Sequence, residues 1–504
     1  MLTDSRWYGR FLNHFERCEN MSYRGKYAKP QPPRKNFKLV LIICFIVAFI
    51  TATLCLISII KTNQPEPTPI ETQAPLTEPT VPPTEETIPP TTTPPETEPE
   101  PVIYTATVGA MGDLLMHAPV FSSQYSAEVY KSGNYDFSSI FQYIQEDVAA
   151  LDYAVANLET TLAGTDNGYP YSGYPSFNCP DSLVDGVKNA GFDMLLTANN
   201  HSYDTNMTGY KRTISVIVEN GLDTLGTYAT ADATKWTVQN INNVNVGMLC
   251  YTYATGETND GRPILNGGYA IKEKGLCNYF TYDNLSKFYT EVEGYLAEME
   301  EAGADATMIF IHWGEEYQLK ANSHQQKIAQ KLCDMGIDVI VGGHPHVVQP
   351  IDLLESTTDP GHKTVCIYST GNAISNQRQG AIDAIKTAHT EDGILFSITF
   401  EKQDDGDAYI VGVDALPTWA NMFTNGNKRR EYNIIPLDIN EIDSWKENYD
   451  LSNESYKKAQ ASYERTMAII GEGLSEVQQY ADSNTAMGQE ALLFSMARRA
   501  KSQN

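Results

Sequence analysis

Val339-Ile340-Val341-Gly342-Gly343-His344-Pro345-His346 is the stretch on which the fold turns. A short β-branched run stops at two glycines, and two histidines follow, one on each side of a proline. Short apolar runs of this kind, alternating with helical patterns, predict an α/β fold with a parallel sheet. Ligands of such sheets bind beyond the carboxyl ends of the strands. The arrangement recurs outward along the chain. Gly112-Asp113 follows Val108-Gly109-Ala110-Met111, and Asn157-Leu158-Glu159 follows Tyr153-Ala154-Val155-Ala156. Asn199-Asn200-His201 follows the run 194–198, His312-Trp313-Gly314 follows 308–311, and Gly371-Asn372 follows 365–368. Asp, Glu, Asn and His are therefore expected to meet on one rim.

That mixture suits a hydrolytic site for two divalent ions, which lie about 3.5–4 Å apart and share a carboxylate. Asp113 and Glu159 are the carboxylates, and Asn200 offers a carbonyl oxygen. His312, His344 and His346 offer imidazoles, which ligate without adding negative charge. His201, directly after Asn200 at the same strand tip, is the catalytic acid for a leaving group. The ions would be manganese, iron, zinc or magnesium. Asn157, Trp313, Glu316 and Asn372 are the substrate-binding candidates, with Arg378 as a cation for an anionic substrate. Each motif alone has an ordinary explanation: a turn for Gly-Asp, a packed strand end for His-Trp-Gly, a capped turn for Asn157 or Asn372. Their common position at strand ends favours the site. His117 reads as the start of the next segment, and His324, His362 and His389 as surface or loop residues.

The 504 residues carry a formal charge of -27. Nucleic acid is excluded as a general partner, because that needs a basic face. Residues 39–60 are uncharged and apolar. At about 1.5 Å per residue they would make about 33 Å of helix, enough for one membrane span. Lys and Arg crowd the preceding 1–38, which places a cytoplasmic tail inside and the main domain outside the cell membrane. Residues 62–102 are Thr, Pro and Glu almost throughout. Such a linker cannot bury a core, and extended at about 3.1 Å per residue it could reach on the order of 100 Å. Five of the eight Cys would lie outside. Cys250, Cys333 and Cys366 read as buried hydrophobes, and a Cys179–Cys277 disulfide is left open.

The globular pattern starts at 103. Strands are expected at 103–111, 153–157, 192–198, 244–251, 306–311, 337–341, 365–369, 393–401, 408–416 and 432–437. One helix is expected across 136–151, and others at 180–190, 208–220 and 323–335. A long one to about 302 would be capped by Asp283. A polar helical tail occupies 441–504, with Tyr463, Met467, Ile470 and Val477 on one face.

Taken together, these motifs resemble the CapA family, the bacterial poly-γ-glutamate capsule-synthesis proteins, which is similar to the calcineurin-like metallophosphoesterases. The carrying residues are Gly112-Asp113, 156–160, 198–204, 311–317, 342–350 and 368–372, within a domain at 103–440. The resemblance implies a metallophosphoesterase-like four-layer α/β/β/α sandwich around two mixed sheets. It matches Asn200 and His201 to a Gly-Asn-His motif that gives a metal ligand and a catalytic His. It matches His344 and His346 to the two ligands of Gly-His-x-His, and His312 to a further ligand. The pattern departs at Leu115, where the phosphoesterases have His, and at Asn157-Leu158-Glu159, where they have a bridging Asp. A membrane-anchored protein for synthesis or export of poly-γ-glutamate or another anionic surface polymer is implied, alongside capsule synthase membrane subunits. Three roles fit: a metal-dependent hydrolase or transferase acting on the polymer, a non-enzymatic polymer-binding or scaffolding subunit, or a surface phosphoesterase for nucleotides or lipids.

Overall fold

The computed structural model describes residues 102–125, 135–381, 383–404 and 406–502. The expected cytoplasmic tail, the membrane span at 39–60 and all but the last residue of the linker lie outside these residues. Among the described residues, no helix is long and apolar enough to cross a membrane.

The chain opens with β1 (Ile103–Leu114), then the short helices α1 (Ala118–Ser123), α2 (Ser138–Phe141) and α3 (Gln145–Ala149). Two strand–helix steps and a further strand follow: β2 (Tyr153–Leu158), α4 (Ser182–Asn189), β3 (Met194–Leu196), α5 (Asn206–Glu219) and β4 (Asp223–Leu225). Next come β5 (Thr237–Ile241), β6 (Val244–Tyr253), β7 (Gly256–Glu257), β8 (Pro263–Leu265), β9 (Tyr269–Ala270) and β10 (Tyr279–Phe280). Helix α6 (Leu285–Glu301) leads to β11 (Ala306–His312), α7 (Ser323–Cys333) and β12 (Val339–Gly343). The strands end with β13 (Ile351–Glu355), β14 (Lys363–Ile367), β15 (Asn372–Ile374), β16 (Asp392–Gln403), β17 (Ala408–Thr424) and β18 (Arg430–Pro436). Helices α8 (Trp445–Asn448) and α9 (Asn453–Ser502) complete the chain.

Both large sheets are mixed rather than purely parallel. The first runs β18-β17-β16-β1-β2-β3-β4, with β15 beside the end of β1. Its β1 to β4 are parallel, and β16, β17 and β18 are antiparallel. The second runs β10-β6-β11-β12-β14-β13, with β6, β11, β12 and β14 parallel and β13 reversed. The cause is connection length. Helical crossovers return the chain for parallel pairing, whereas the short turns around β16, β17 and β18 permit only reversal.

Three apolar clusters stack these elements in layers. One lies between the sheets, where Val108, Val155 and Phe396 face Met248, Phe310 and Val341. A second joins the other side of the first sheet to α2 and α4, through Ala154, Leu195, Ile140 and Leu183. A third joins the second sheet to α6 and α7, through Ile309, Ile340, Val292 and Ile328. The order is thus helices, sheet, sheet, helices.

Three local expectations change. The helix expected at 136–151 breaks into α2 and α3 around 142–144. Asn284, not Asp283, precedes α6, and it makes no side-chain cap bond. Strand β1 continues through Gly112 and Asp113 to Leu114, with a register shift between Met111 and Asp113. Asp113 therefore sits in a bulged strand end. The expected face of the tail is buried: Ile470 and Val477 of α9 enter the inter-sheet core, and Met467 packs against it. The helix lies chiefly over β17 and the edge strand β13. All five described cysteines are buried and free, so Cys179 and Cys277 are not bonded.

Candidate metal centre

Register brings the strand ends together. Asp113 pairs with Asn157 on one side and Asn372 on the other. In the second sheet His312 pairs with Gly343. Gly342 must be glycine, because a Cβ there would lie 2.0 Å from the Tyr368 carbonyl oxygen. His344 and His346 then turn out of the strand with φ of 94° and 57°. Left-handed backbone is costly for a side-chain-bearing residue and persists where surrounding structure enforces it.

Two donor sets result. Glu159, His312 and His344 offer ligand atoms within 4.8 Å of one another, and so do Asp113, Glu159 and His346. Glu159 belongs to both. Asn200 joins the first set, its Oδ1 2.9 Å from His312 Nε2. His346 Nδ1 lies 3.2 Å from Asp113 Oδ2 and 3.9 Å from Glu159 Oε2. Asp113 and Glu159 are both 0% exposed. Both oxygens of Glu159, and Nδ1 of His344, lack any hydrogen-bond partner. A buried carboxylate without partners is expensive unless a cation meets it. The donor set of carboxylates, imidazoles and one amide oxygen therefore fits divalent ions, with Glu159 as the shared ligand.

Electrostatics agree with that division. Burial pushes the Asp113 carboxyl up, but the His346 hydrogen bond and the charges of His346 and His312 outweigh it, leaving it below its ordinary value. Burial pushes His346 down, yet Glu159 and Asp113 hold it up at about 9. Burial and the neighbouring His312, His346 and His201 hold His344 well below its ordinary value, which keeps it neutral and able to ligate.

His201 is held separately. Its Nδ1 donates to Asp204 Oδ2 at 2.7 Å, and Phe177 packs edge-on with ring centroids 4.7 Å apart. Burial lowers its pKa, but the Asp204 bond and charge, aided by Glu159, raise it overall. Asp204 also accepts from the Phe177 backbone N–H. With Nδ1 committed, Nε2 is the nitrogen left to exchange a proton.

The substrate candidates divide. Asn157 is buried and donates to Asp113 Oδ1 at 2.7 Å, so it orients Asp113. Asn372 is fully buried, with Oδ1 3.1 Å from His346 Nδ1 and its amide donating to Gln377, Thr390 and the His346 carbonyl. It likewise fixes His346. Trp313 is fully buried, donates to the Tyr368 carbonyl and packs in the outer core, so it lines no cleft. Arg378 is also buried, paired with Glu391 at 2.9 Å, and does not reach the rim. Glu316 is exposed and its charge is felt at His346, which puts it at the mouth. Leu115 is buried. His117 does precede α1, as expected, but it also packs against Phe177 and is pushed down to about 4, chiefly by burial.

Sequence reasoning passed over Asp204, Tyr253 and Tyr317. The Tyr253 ring lies parallel to His312 and 4.7 Å from His344, and Tyr317 lies 6.2 Å from His346. Tyr253 ends β6, so the strand-end rule that found the others would have found it. Asp204 stands three residues after His201, the spacing of a local orienting carboxylate.

A two-sheet α/β protein with a buried, carboxylate-sharing His/Asp/Glu/Asn cluster is the class that fold and site define. Residues 107–377 match the family described as bacterial capsule synthesis protein PGA_cap, and the chain belongs to that family. The PGA biosynthesis protein CapA of Bacillus subtilis (strain 168) is 28% identical over 271 residues, 53% of this chain and 62% of its own length. The capsule biosynthesis protein CapA of Bacillus anthracis is 29% identical over 276 residues, 54% of this chain and 60% of its own. The match thus spans less than two thirds of these relatives. Among solved structures, a Staphylococcus aureus protein described as a 5'-nucleotidase aligns over 64% of this chain and 56% of its own, at TM-score 0.37 and 14% identity. Haemophilus influenzae NAD nucleotidase aligns over 76% and 68%, at TM-score 0.36 and 10% identity. Both likenesses are too low to bear on fold or activity.

Proposed function

We propose that this chain is a metal-dependent hydrolase or transferase of metallophosphoesterase-like fold, acting on an anionic cell-surface polymer such as poly-γ-glutamate. Glu159 carries the reading: it is buried, belongs to both donor sets, and neither of its oxygens accepts a hydrogen bond. Divalent ions bound there would supply Lewis acidity and lower the pKa of a bound water. The chain's own residues do the rest. Asp113 with His346, and His312 with His344 and Asn200, would complete the two donor sets that share Glu159. Asn157 and Asn372 fix Asp113 and His346, as outer-shell partners do in metal sites generally. Asn199 donates to Asn157 Oδ1 and the Leu158 carbonyl, which ties the His201 loop to the Glu159 strand end. His201 delivers a proton from Nε2 to the leaving group while Asp204 steadies the imidazolium. With Leu115 where the phosphoesterases have an imidazole, Asp113, Glu159 and His346 are the residues that would hold an ion on that side.

In the same reading, 39–60 anchors the chain in the cell membrane and 62–102 spaces the catalytic domain outside it, beside capsule synthase membrane subunits. The test is hydrolysis of phosphate mono- and diesters and of γ-glutamyl amides by metal-loaded protein. Turnover of at least one class, lost in His201→Ala with metal retained, supports the reading. Full capsule output in cells carrying both His201→Ala and His344→Ala would sink it in favour of a scaffold.

A further inference from the structure

The pair His201–Asp204 has a third member, supplied from a distant part of the chain. The Asp204 side chain is fully buried. Its Oδ2 accepts from His201 Nδ1 and from the Phe177 backbone N–H, each at 2.7 Å. Its Oδ1 has one donor among the described residues, the side-chain amide of Asn266 at 3.5 Å. The same Nδ2 lies 3.3 Å from His201 Nδ1. A buried charged acceptor that loses its donor is destabilised, so the lie of the carboxylate depends on this contact.

A hairpin delivers Asn266. Strands β8 and β9 pair through Ile264 with Ala270 and Leu265 with Tyr269, and Asn266-Gly267-Gly268 joins them. The Gly268 N–H donates to the Leu265 carbonyl, closing a turn whose central residues, Asn266 and Gly267, have φ of 48° and 73°. Left-handed backbone at both positions is the type I′ pattern, for which Asn-Gly is a favoured pair. The hairpin is anchored close to its tip. Leu265 and Ile271 are fully buried in the inter-sheet core. Thr255 donates to the Ile264 carbonyl from its N–H and its hydroxyl, and its Oγ1 accepts from the Gly267 N–H at 3.3 Å. Thr255 stands two residues after Tyr253, the strand end beside His312 and His344. The hairpin therefore crosses from the second sheet's strand ends to the His201 loop of the first. An Asn-Gly turn needs no contact at its tip, so turn chemistry does not account for an amide set against both His201 and Asp204.

We infer that Asn266 is a positioning residue, whose amide fixes the Asp204 carboxylate and, through it, the orientation of the His201 ring. It touches no reacting group itself. Its value to a proton transfer rests on the catalytic reading above; its hold on the pair does not.

The test separates the turn from the contact. Asn266→Gly keeps the left-handed turn without strain but removes the amide. Asn266→Asp suits the same turn but sets a carboxylate against Asp204 where a donor stood. Two readouts are taken on the zinc- or magnesium-loaded full chain at equal metal content. One is solvent exchange of the His201 Nδ1 proton by NMR, assigned by its absence in His201→Ala. The other is turnover of whichever phosphate ester or γ-glutamyl amide the wild-type chain hydrolyses. Exchange should be faster in both variants than in the wild type. With KM little changed, kcat should fall on the order of tenfold in Asn266→Gly and further in Asn266→Asp, a part of the about 10²–10⁴ that a positioned acid contributes. Wild-type exchange in both variants would overturn the proposal whether or not the chain is catalytic, as would full kcat in both. A wild-type chain that turns over nothing would instead sink the catalytic reading, and proton exchange alone would then decide whether Asn266 holds the pair.

Discussion

Neither oxygen of Glu159 accepts a hydrogen bond, while Asp113 is paired with His346 and Asn200 with His312, and that asymmetry organises the site. Proton balance follows from it. His346 is held up at about 9 by Glu159 and Asp113, above the usual histidine value, so it is protonated in the metal-free chain at pH 7.5. A metal ligand must give up that proton. Calorimetry of metal binding in buffers of differing ionisation enthalpy should therefore show release of about one proton at pH 7.5, fading above pH 9. Release that does not change with pH would contradict this. Asp204→Asn removes the charge steadying His201 without touching a ligand. Turnover should fall about 10²–10⁴-fold with metal content and KM little changed. At this scale the clustering of these residues was legible, because Asp, Glu, Asn and His at strand ends are few and chemically distinctive. The roles of Asn157, Asn372 and Trp313 were not. An amide beside a site reads the same whether it faces the substrate or holds a ligand, and only burial and partners tell them apart.

Helix α9 shows how elements close the molecule. It crosses from β17 to β13 and seals the inter-sheet core with Ile470, Leu474, Val477 and Ala481. The approach is closest at Gly473, where an added Cβ would lie 1.8 Å from the Ile351 carbonyl oxygen. Alanine favours helix over glycine by about 1 kcal/mol. Backbone overlap outweighs this, since overpacking typically costs about 1–3 kcal/mol. Gly473→Ala should thus lower the unfolding midpoint in denaturant, and a raised midpoint would show the helix is free to shift. The apolar face of this helix was legible from its spacing. What it covers was not, because periodicity names a buried face without naming its partner. Likewise the parallel strands announced themselves as β-branched runs, whereas the reversal of β16, β17 and β18 depends on turns that carry little signal. The break at 142–144 interrupts a run of helical spacing that the sequence carries without a gap.

On the scale of the whole molecule, the family match ends at 377 while the sandwich does not. Strands β16, β17 and β18 supply one side of the first sheet, and Asp392 at the head of β16 is clasped by Ser462 and Arg465 of α9. Core, site and tail are therefore one cooperative structure, with the carboxylate-sharing cluster at the junction of its two sheets. Ions bound there would join the sheets and would stabilise the fold by mass action, about 2.7 kcal/mol at a hundredfold excess over Kd. Melting with and without manganese should show an upward shift that Glu159→Gln abolishes. The most direct measurement is anomalous diffraction from crystals soaked in manganese. The account predicts two ions about 3.5–4 Å apart, one on each side of Glu159. No anomalous peak at Glu159, or a single ion that leaves Asp113 and His346 still paired with each other, would contradict it.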